Sequence, residues 1–276
     1  MIEQKKFAII GGSGKMGMWS ADFLLREGCE VVITGRNRNK LLDAGKKLNI
    51  EVTTTAEAVK WADVVLLSVS LSNFEDVVKE IALHTRSGQV IIDNASIKEF
   101  PVEVMHRYIK SGLVLGIHPM FGPSTEGLSQ QNIVLTPTNE DEEALAHKIQ
   151  GYLEGKGARV TLMTPHQHDE MMSVILGLSH FIGLVSADTL ANWDQFDQTN
   201  AISGTSYRLL LSLVKAVISE DSEFYASLQM SLPGVAGIHK LFQDKASEWA
   251  EIVKKQDQPE FIDRMNTLKE RLKSYL

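Results

Sequence analysis

Cysteine is almost missing from this 276-residue chain; Cys29 stands alone. An internal disulfide and any cysteine-based zinc site are thereby excluded, and a thiol at a helix-to-strand junction reads as a buried structural group. Excess positive charge is also missing. With 28 Lys and Arg against 35 Asp and Glu, the net charge of −7 argues against a nucleic-acid partner, which calls for a basic face. No uninterrupted apolar run is long enough for a membrane span. The most apolar stretch, Val174 to Leu190, is broken by Ser179, His180, Ser186 and Asp188 and is expected to be a buried helix. The chain passes directly into its first strand without a signal peptide, so a cytoplasmic location is expected. Internal repeats, low-complexity tracts and long linkers are absent.

What is present begins at once. Phe7 to Ile10 form a buried-strand run that leads into Gly12-Ser13-Gly14-Lys15-Met16-Gly17, and helical spacing follows until Gly28. Strand, Gly-x-Gly-x-x-Gly and helix in succession form a cradle for the pyrophosphate of a dinucleotide. Gly12 is expected to make the turn, Gly14 to admit the phosphates and Gly17 to let the helix pack on the sheet. A nicotinamide or flavin cofactor follows. The second strand, Glu30 to Thr34, lacks the terminal acid that accepts from a ribose 2′-hydroxyl. Thr34, Arg36 and Arg38 stand there instead, and two guanidinium groups suit a 2′-phosphate, so NADP is expected over NAD.

Short apolar runs alternate with helical segments through residue 162, the pattern of a mostly parallel, doubly wound α/β sheet. Beyond Thr164-Pro165 only helical periodicity remains, in stretches near 166–193, 203–219, 221–230 and 236–274, the last broken at Gln258-Pro259. The expected organisation is a dinucleotide-binding Rossmann domain over 1–164 and an all-helical substrate and dimerisation domain over 165–276. A helical tail that cannot bury its longest helix alone should pair with a second copy as a homodimer.

Ligands of open parallel sheets bind beyond the strand carboxyl ends. Ser68 and Ser70 follow one strand and should line the cofactor. Ser96 and Lys98 follow the next, and His118-Pro119 the one after. A histidine at such a position, stiffened by proline, suits proton transfer. On a regular helix, residues seven or eleven apart lie about 20° from eclipsed, which puts Asp169, Ser173, Leu176 and His180 on one stripe and leaves His168 off it. His168 is expected to act only locally. Arg208, opening a later helix, could clamp a carboxylate.

Taken together, Gly12 to Gly17, Asp93-Asn94-Ala95-Ser96-Ile97-Lys98, Gly116 to Pro123, His168-Asp169, Leu178-Ser179-His180 and Tyr207-Arg208 resemble the prephenate dehydrogenases. The resemblance implies oxidative decarboxylation of prephenate to 4-hydroxyphenylpyruvate, in tyrosine biosynthesis, with hydride transfer to NAD(P). It implies His118 as base and Ser96 as the serine that hydrogen-bonds it. Ser179, His180 and Arg208 correspond to substrate-binding positions, and no metal is implied. Phe121-Gly122-Pro123 departs from the sequence many relatives carry after His-Pro-Met. The alternatives are an arogenate dehydrogenase and an NADP-binding redox sensor without turnover.

Overall fold

We describe a computed structural model of the chain over residues 5–275, without the side chain of Asn200. Two compact units emerge: Met1–Met172 with Glu223–Ser231, and Ser173–Ser222 with Leu232–Leu276. The first contains β1 (Lys6–Ile10), α1 (Lys15–Arg26), β2 (Glu30–Thr34), α2 (Arg38–Leu48), β3 (Glu51–Val52), α3 (Thr55–Trp61), β4 (Val64–Leu67) and α4 (Leu71–Ala82). It continues with β5 (Val90–Asp93), α5 (Glu99–Tyr108), β6 (Leu113–Pro119), β7 (Asn132–Thr136), α6 (Glu140–Gly155), β8 (Arg159–Leu162) and α7 (Pro165–Met172). The strands form one sheet in the order β3-β2-β1-β4-β5-β6-β7-β8, parallel throughout except where β7 runs against β6. The mostly parallel doubly wound reading therefore holds.

Alternation along β1 splits the core. Ala8 and Ile10 join Val65, Leu67 and Ile91 beneath Phe74, Val78 and Ile81 of α4. Phe7 and Ile9 join Val31 and Ile33 beneath Ala21 and Leu24 of α1. Period-two side-chain placement on a sheet covered on both faces requires this division. Cys29 is buried with the second cluster. The capping signals are local. Asn37 accepts from Lys40 N at 3.0 Å to start α2, and Asn49 ends it in the left-handed region at φ 53°.

The order reverses between β1 and β4, so their carboxyl ends flank the crevice where such folds take ligands. Here the glycines divide their work differently from the sequence expectation. Gly11, at φ +88°, makes the turn out of β1, its N–H donating to Thr34 O at 2.8 Å. Gly12 serves close packing: a Cβ there would stand 2.5 Å from the Ile33 side chain of β2. A Cβ on Gly17 would meet Gly11 O at 2.4 Å, so that glycine does bring α1 onto the loop.

The second unit is helical. A π turn (Ser173–Leu178) leads into α8 (Ser179–Ala191), followed by α9 (Phe196–Thr199), a 3₁₀ turn and α10 (Thr205–Ile218). α11 (Ser222–Ser231) lies almost wholly in the first unit, and α12 (Val235–Lys255) and α13 (Gln258–Leu272) complete the second. Gly183 of α8 faces Val217 of α10, where a Cβ would be 2.5 Å from Cγ2. Phe181 stacks on His239 at 4.1 Å, which makes His239 a packing residue. The stretch Val174 to Leu190, within the continuous helix Pro165–Ala191, departs from its expected burial. The helix's mean hydropathy reaches 1.6 over an 18-residue window of which only 11% is buried, and Val174, Ile175, Leu184 and Val185 are exposed. The apolar composition was legible; a single chain does not supply its cover.

Candidate active site

The N-terminus of α1 forms the first part of the site. Gly14 precedes it in extended conformation with no side-chain cap, and the first turn carries no acid. Its N–H groups and partial positive charge are left to an outside anion. A Cβ on Gly14 would meet only Gly11 O, at 3.2 Å, so the approach is open. Ser13 and Met16 are half-buried around it, and Lys15 is exposed. These residues fit the pyrophosphate of a dinucleotide.

At the end of β2, Thr34 is buried, and its carbonyl accepts from both Gly11 N and Gly12 N. It braces the loop from beneath. The exposed groups are Arg36 and Arg38. Arg36 Nη1 donates to Asn73 Oδ1 at 2.7 Å, and Asn73 Nδ2 donates to Ser70 Oγ at 2.6 Å. One amide thus ties the rim of β2 to the rim of β4, a link that sequence reading did not find. Ser68 Oγ accepts from Asn94 Nδ2 at 3.3 Å, which joins the rims of β4 and β5.

The densest chemistry lies at the ends of β5 and β6. His118 is only 5% exposed. Its Nδ1 lies 2.8 Å from His168 Nε2, and His168 Nδ1 lies 2.6 Å from Asp169 Oδ1. Asp169 also accepts from Lys98 N at 2.7 Å and Glu99 N at 2.9 Å, capping α5. The carboxylate can only accept, so His168 Nδ1 carries a proton; neutral His168 then accepts at Nε2, and His118 Nδ1 must donate. That chain leaves His118 Nε2 as a bare lone pair. Nε2 makes no hydrogen bond among the described residues, nor is it one of the sealed, partnerless polar atoms. Burial, then the neighbouring His168 and Lys98 groups, hold the His118 pKa well below 6.5. Lys98 itself is fully buried, paired with Asp93 and donating to Ile117 O at 2.9 Å. Burial pushes the Asp93 carboxyl up and the Lys98 ammonium down, against their mutual attraction.

His168 therefore does more than act locally at a helix start: it is the direct partner of His118. The hydrogen bond expected from Ser96 to His118 is not formed; His168 takes Nδ1 in its place, and Ser96 lies half-buried on the same rim. The regular stripe from Asp169 to His180 is also interrupted. The π turn between them, with i→i+5 bonding, shifts the register, so equal helical spacing no longer holds. Ser179, His180 and Arg208 belong to the second unit. Ser179 Oγ donates to Ile175 O at 2.5 Å, and burial lowers the His180 pKa. Arg208 is exposed and forms no ion pair among the described residues. Among these residues no cluster capable of holding a metal occurs.

The family model for the prephenate dehydrogenase nucleotide-binding domain matches residues 20–162, and the model for its dimerization domain matches 164–267. A probable arogenate/prephenate dehydrogenase of Methanocaldococcus jannaschii is 34% identical over 94% of this chain and 59% of its own length. The T-protein of Enterobacter agglomerans is 28% identical over 97% of this chain and 68% of its own. The chain thus spans about three-fifths to two-thirds of these relatives' lengths. Among solved structures, Aquifex aeolicus prephenate dehydrogenase, in complex with hydroxyphenyl propionate and NAD+, superposes with a TM-score of 0.80. It is 20% identical, and 99% of this chain and 98% of that one are covered. Synechocystis arogenate dehydrogenase gives a TM-score of 0.74 at 17% identity, covering 98% and 100%. At these identities the likeness is one of fold.

The depressed His118 pKa has a measurable consequence. Below pH 6.5 the unfolded chain takes up a proton at this position that the folded chain refuses, so stability falls on acidification. The loss runs at up to about 1.4 kcal/mol per pH unit until the folded pKa is reached. Urea denaturation of the wild type and His118→Asn at pH 7.5, 6.5 and 5.5 should show the variant losing less stability over this interval. Equal losses would place the proton uptake elsewhere.

Proposed function

The chain belongs to the prephenate dehydrogenase family, and on that premise we propose that it oxidatively decarboxylates prephenate to 4-hydroxyphenylpyruvate with a nicotinamide dinucleotide. The observation that carries this reading is the His118–His168–Asp169 chain, which presents one neutral imidazole nitrogen at the sheet's ligand-binding rim. The bound nicotinamide supplies the hydride acceptor. The protein's own task is to hold the substrate and remove one proton. As hydride leaves the ring carbon that bears the hydroxyl, His118 Nε2 accepts the hydroxyl proton and the carboxylate departs as carbon dioxide; the oxygen on the new aromatic ring then takes that proton back from His118, giving the phenol. Positive charge formed on His118 in between is stabilised through His168 by Asp169. Ser96 orients the hydroxyl on the same rim, and Ser179, His180 and Arg208 receive the substrate, Arg208 at a carboxylate. With aromatisation driving the reaction, alignment and one base account for the chemistry asked of the side chains.

For the cofactor, the support is local. Gly12, Ser13, Gly14, Lys15, Met16 and Gly17 cradle the pyrophosphate, while Ser68 and Ser70 line the nicotinamide half. Thr34 supports the turn from below. Arg36, held by Asn73, and Arg38 favour NADP over NAD because Thr34 to Arg38 carry no acid at the β2 end. For assembly, the exposed apolar side chains of Pro165–Ala191 and the dimerization-domain match support a homodimer built on the helical unit.

Purified protein supplied with prephenate and either dinucleotide should generate absorbance at the reduced-nicotinamide band; arogenate, run in parallel, identifies the preferred substrate. His118→Asn should lower kcat by roughly two to four orders of magnitude, as expected for loss of a general base, with dinucleotide affinity unchanged. Unaltered turnover would assign the base to another group. Arg36→Ala should weaken NADP by roughly tenfold or more and NAD by less than about twofold, as fits loss of one charge-assisted contact to the 2′-phosphate. Equal weakening would make Arg36 structural. Light scattering should give twice the chain mass, and a monomer at micromolar concentration would end the homodimer reading.

A further inference from the structure

One face of the first unit's sheet is incompletely covered. α1 and α6 flank the stretch over β4, β5 and β6, and between them a cavity of about 340 Å³ reaches Leu66, Val90 and Ile117. These three are only half-buried, although strands at the centre of a parallel sheet normally have both faces sealed. The volume lies within the roughly 300–1,000 Å³ usual for small-molecule sites. Residues from the amino ends of the strands (Lys5, Phe7) and from their carboxyl ends (Asn94, Pro119) both line it. It is distinct from the glycine-rich cradle, none of whose residues contributes to its walls.

We propose that this cavity is a second ligand site, which takes an aryl carboxylate: a flat apolar body of one or two rings with a single anionic group. Three observations fix the chemistry. The walls are apolar and aromatic, and the rings are already set: Trp19 stacks on Phe23 at 5.5 Å and meets Phe121 edge-on at 4.9 Å. Trp19 is held in place by its Nε1 donating to Thr125 O at 2.6 Å, so little ordering is needed to receive another ring. Among the described residues, the ionic groups lining the space are the ammonium groups of Lys5 and Lys148, with no carboxylate, so an anion is favoured over a cation. The frame is bridged as well, for Tyr152 of α6 donates to Glu27 Oε2 at the end of α1 at 2.6 Å. A slot of this volume takes a ring system and excludes a helix about 10 Å across.

The site reports on the catalytic rim. Asn94, one of its walls, holds Ser68 Oγ, and Pro119 adjoins His118. An occupant therefore alters the surroundings of the base without occupying its place. This inference rests on the cavity and not on the identity of the substrate.

The test uses 2-naphthoate as probe on the full chain saturated with NAD, followed by methyl NMR. Saturable shifts are expected at the δ-methyls of Ile92, Ile117, Ile133 and Ile149, which line the cavity, with those of Ile9 and Ile33 unmoved. Val90→Phe, which fills the space, should weaken binding roughly tenfold or more. Lys148→Gln, a surface change that leaves the fold alone, should weaken it about threefold to tenfold. Shifts centred elsewhere, displacement of the probe by prephenate, or unchanged affinity in Lys148→Gln would each overturn the proposal.

Discussion

A single buried carboxylate sets the geometry on which the site depends. Asp169 receives the backbone N–H groups of Lys98 and Glu99 and the imidazole Nδ1 of His168. An ionised carboxylate out of water is tolerated only when donors surround it, and here three do. Two of them fix the start of α5, and with it the loop from β5 that carries Ser96. The third fixes the ring that orients His118. Loop, helix and the His118 ring are thus positioned by one residue whose own place is set by α7. The buried Asp93–Lys98 pair adds a second tie from β5 to β6 through Ile117 O. Such a pair is costly to break from one side, since the survivor would be left charged in an apolar surround.

The electrostatics around His118 point in one direction. Burial, then the adjoining His168 and Lys98, disfavour the imidazolium ion, and with His168 neutral the hydrogen-bond chain leaves His118 a single tautomer. For the role proposed for His118, a neutral ring is ready to accept, and Asp169 lies where it would offset the charge that then appears. In that proposal, ground-state neutrality and transition-state stabilisation would come from the same string of groups.

Features that need only local chemistry were legible in the sequence. The glycine fingerprint, the alternating strands and the residues at the strand ends are written in contiguous runs, and His118 at the end of β6 followed from them. Contacts that join distant segments were not. His168 sits beside an aspartate at a helix start, which reads as local, and nothing in its neighbourhood shows that His118, fifty residues earlier, lies within hydrogen-bond reach. The stripe through Asp169 and His180 assumed uniform helical geometry, and the π turn at Ser173–Leu178 is not encoded by any single residue type. The turn assigned to Gly12 belongs to Gly11, because two adjacent glycines can exchange a positive φ at no steric cost. Burial of Val174 to Leu190 was inferred from composition, which records that a surface needs covering but not which molecule covers it.

The Arg36–Asn73–Ser70 link bears on how the proposed dinucleotide preference could be redesigned. A guanidinium already docked on a neutral amide has surrendered most of its rotamer freedom before any nucleotide arrives, so a phosphate would meet a rigid arm and not a wandering one. Installing an acid at the end of β2 while leaving Asn73 in place would then set that acid beside an immobilised cation, and the two would neutralise one another instead of reading the ribose. A change of cofactor in this scaffold has to be made at α4 as much as at β2, in two segments of the chain thirty-seven residues apart.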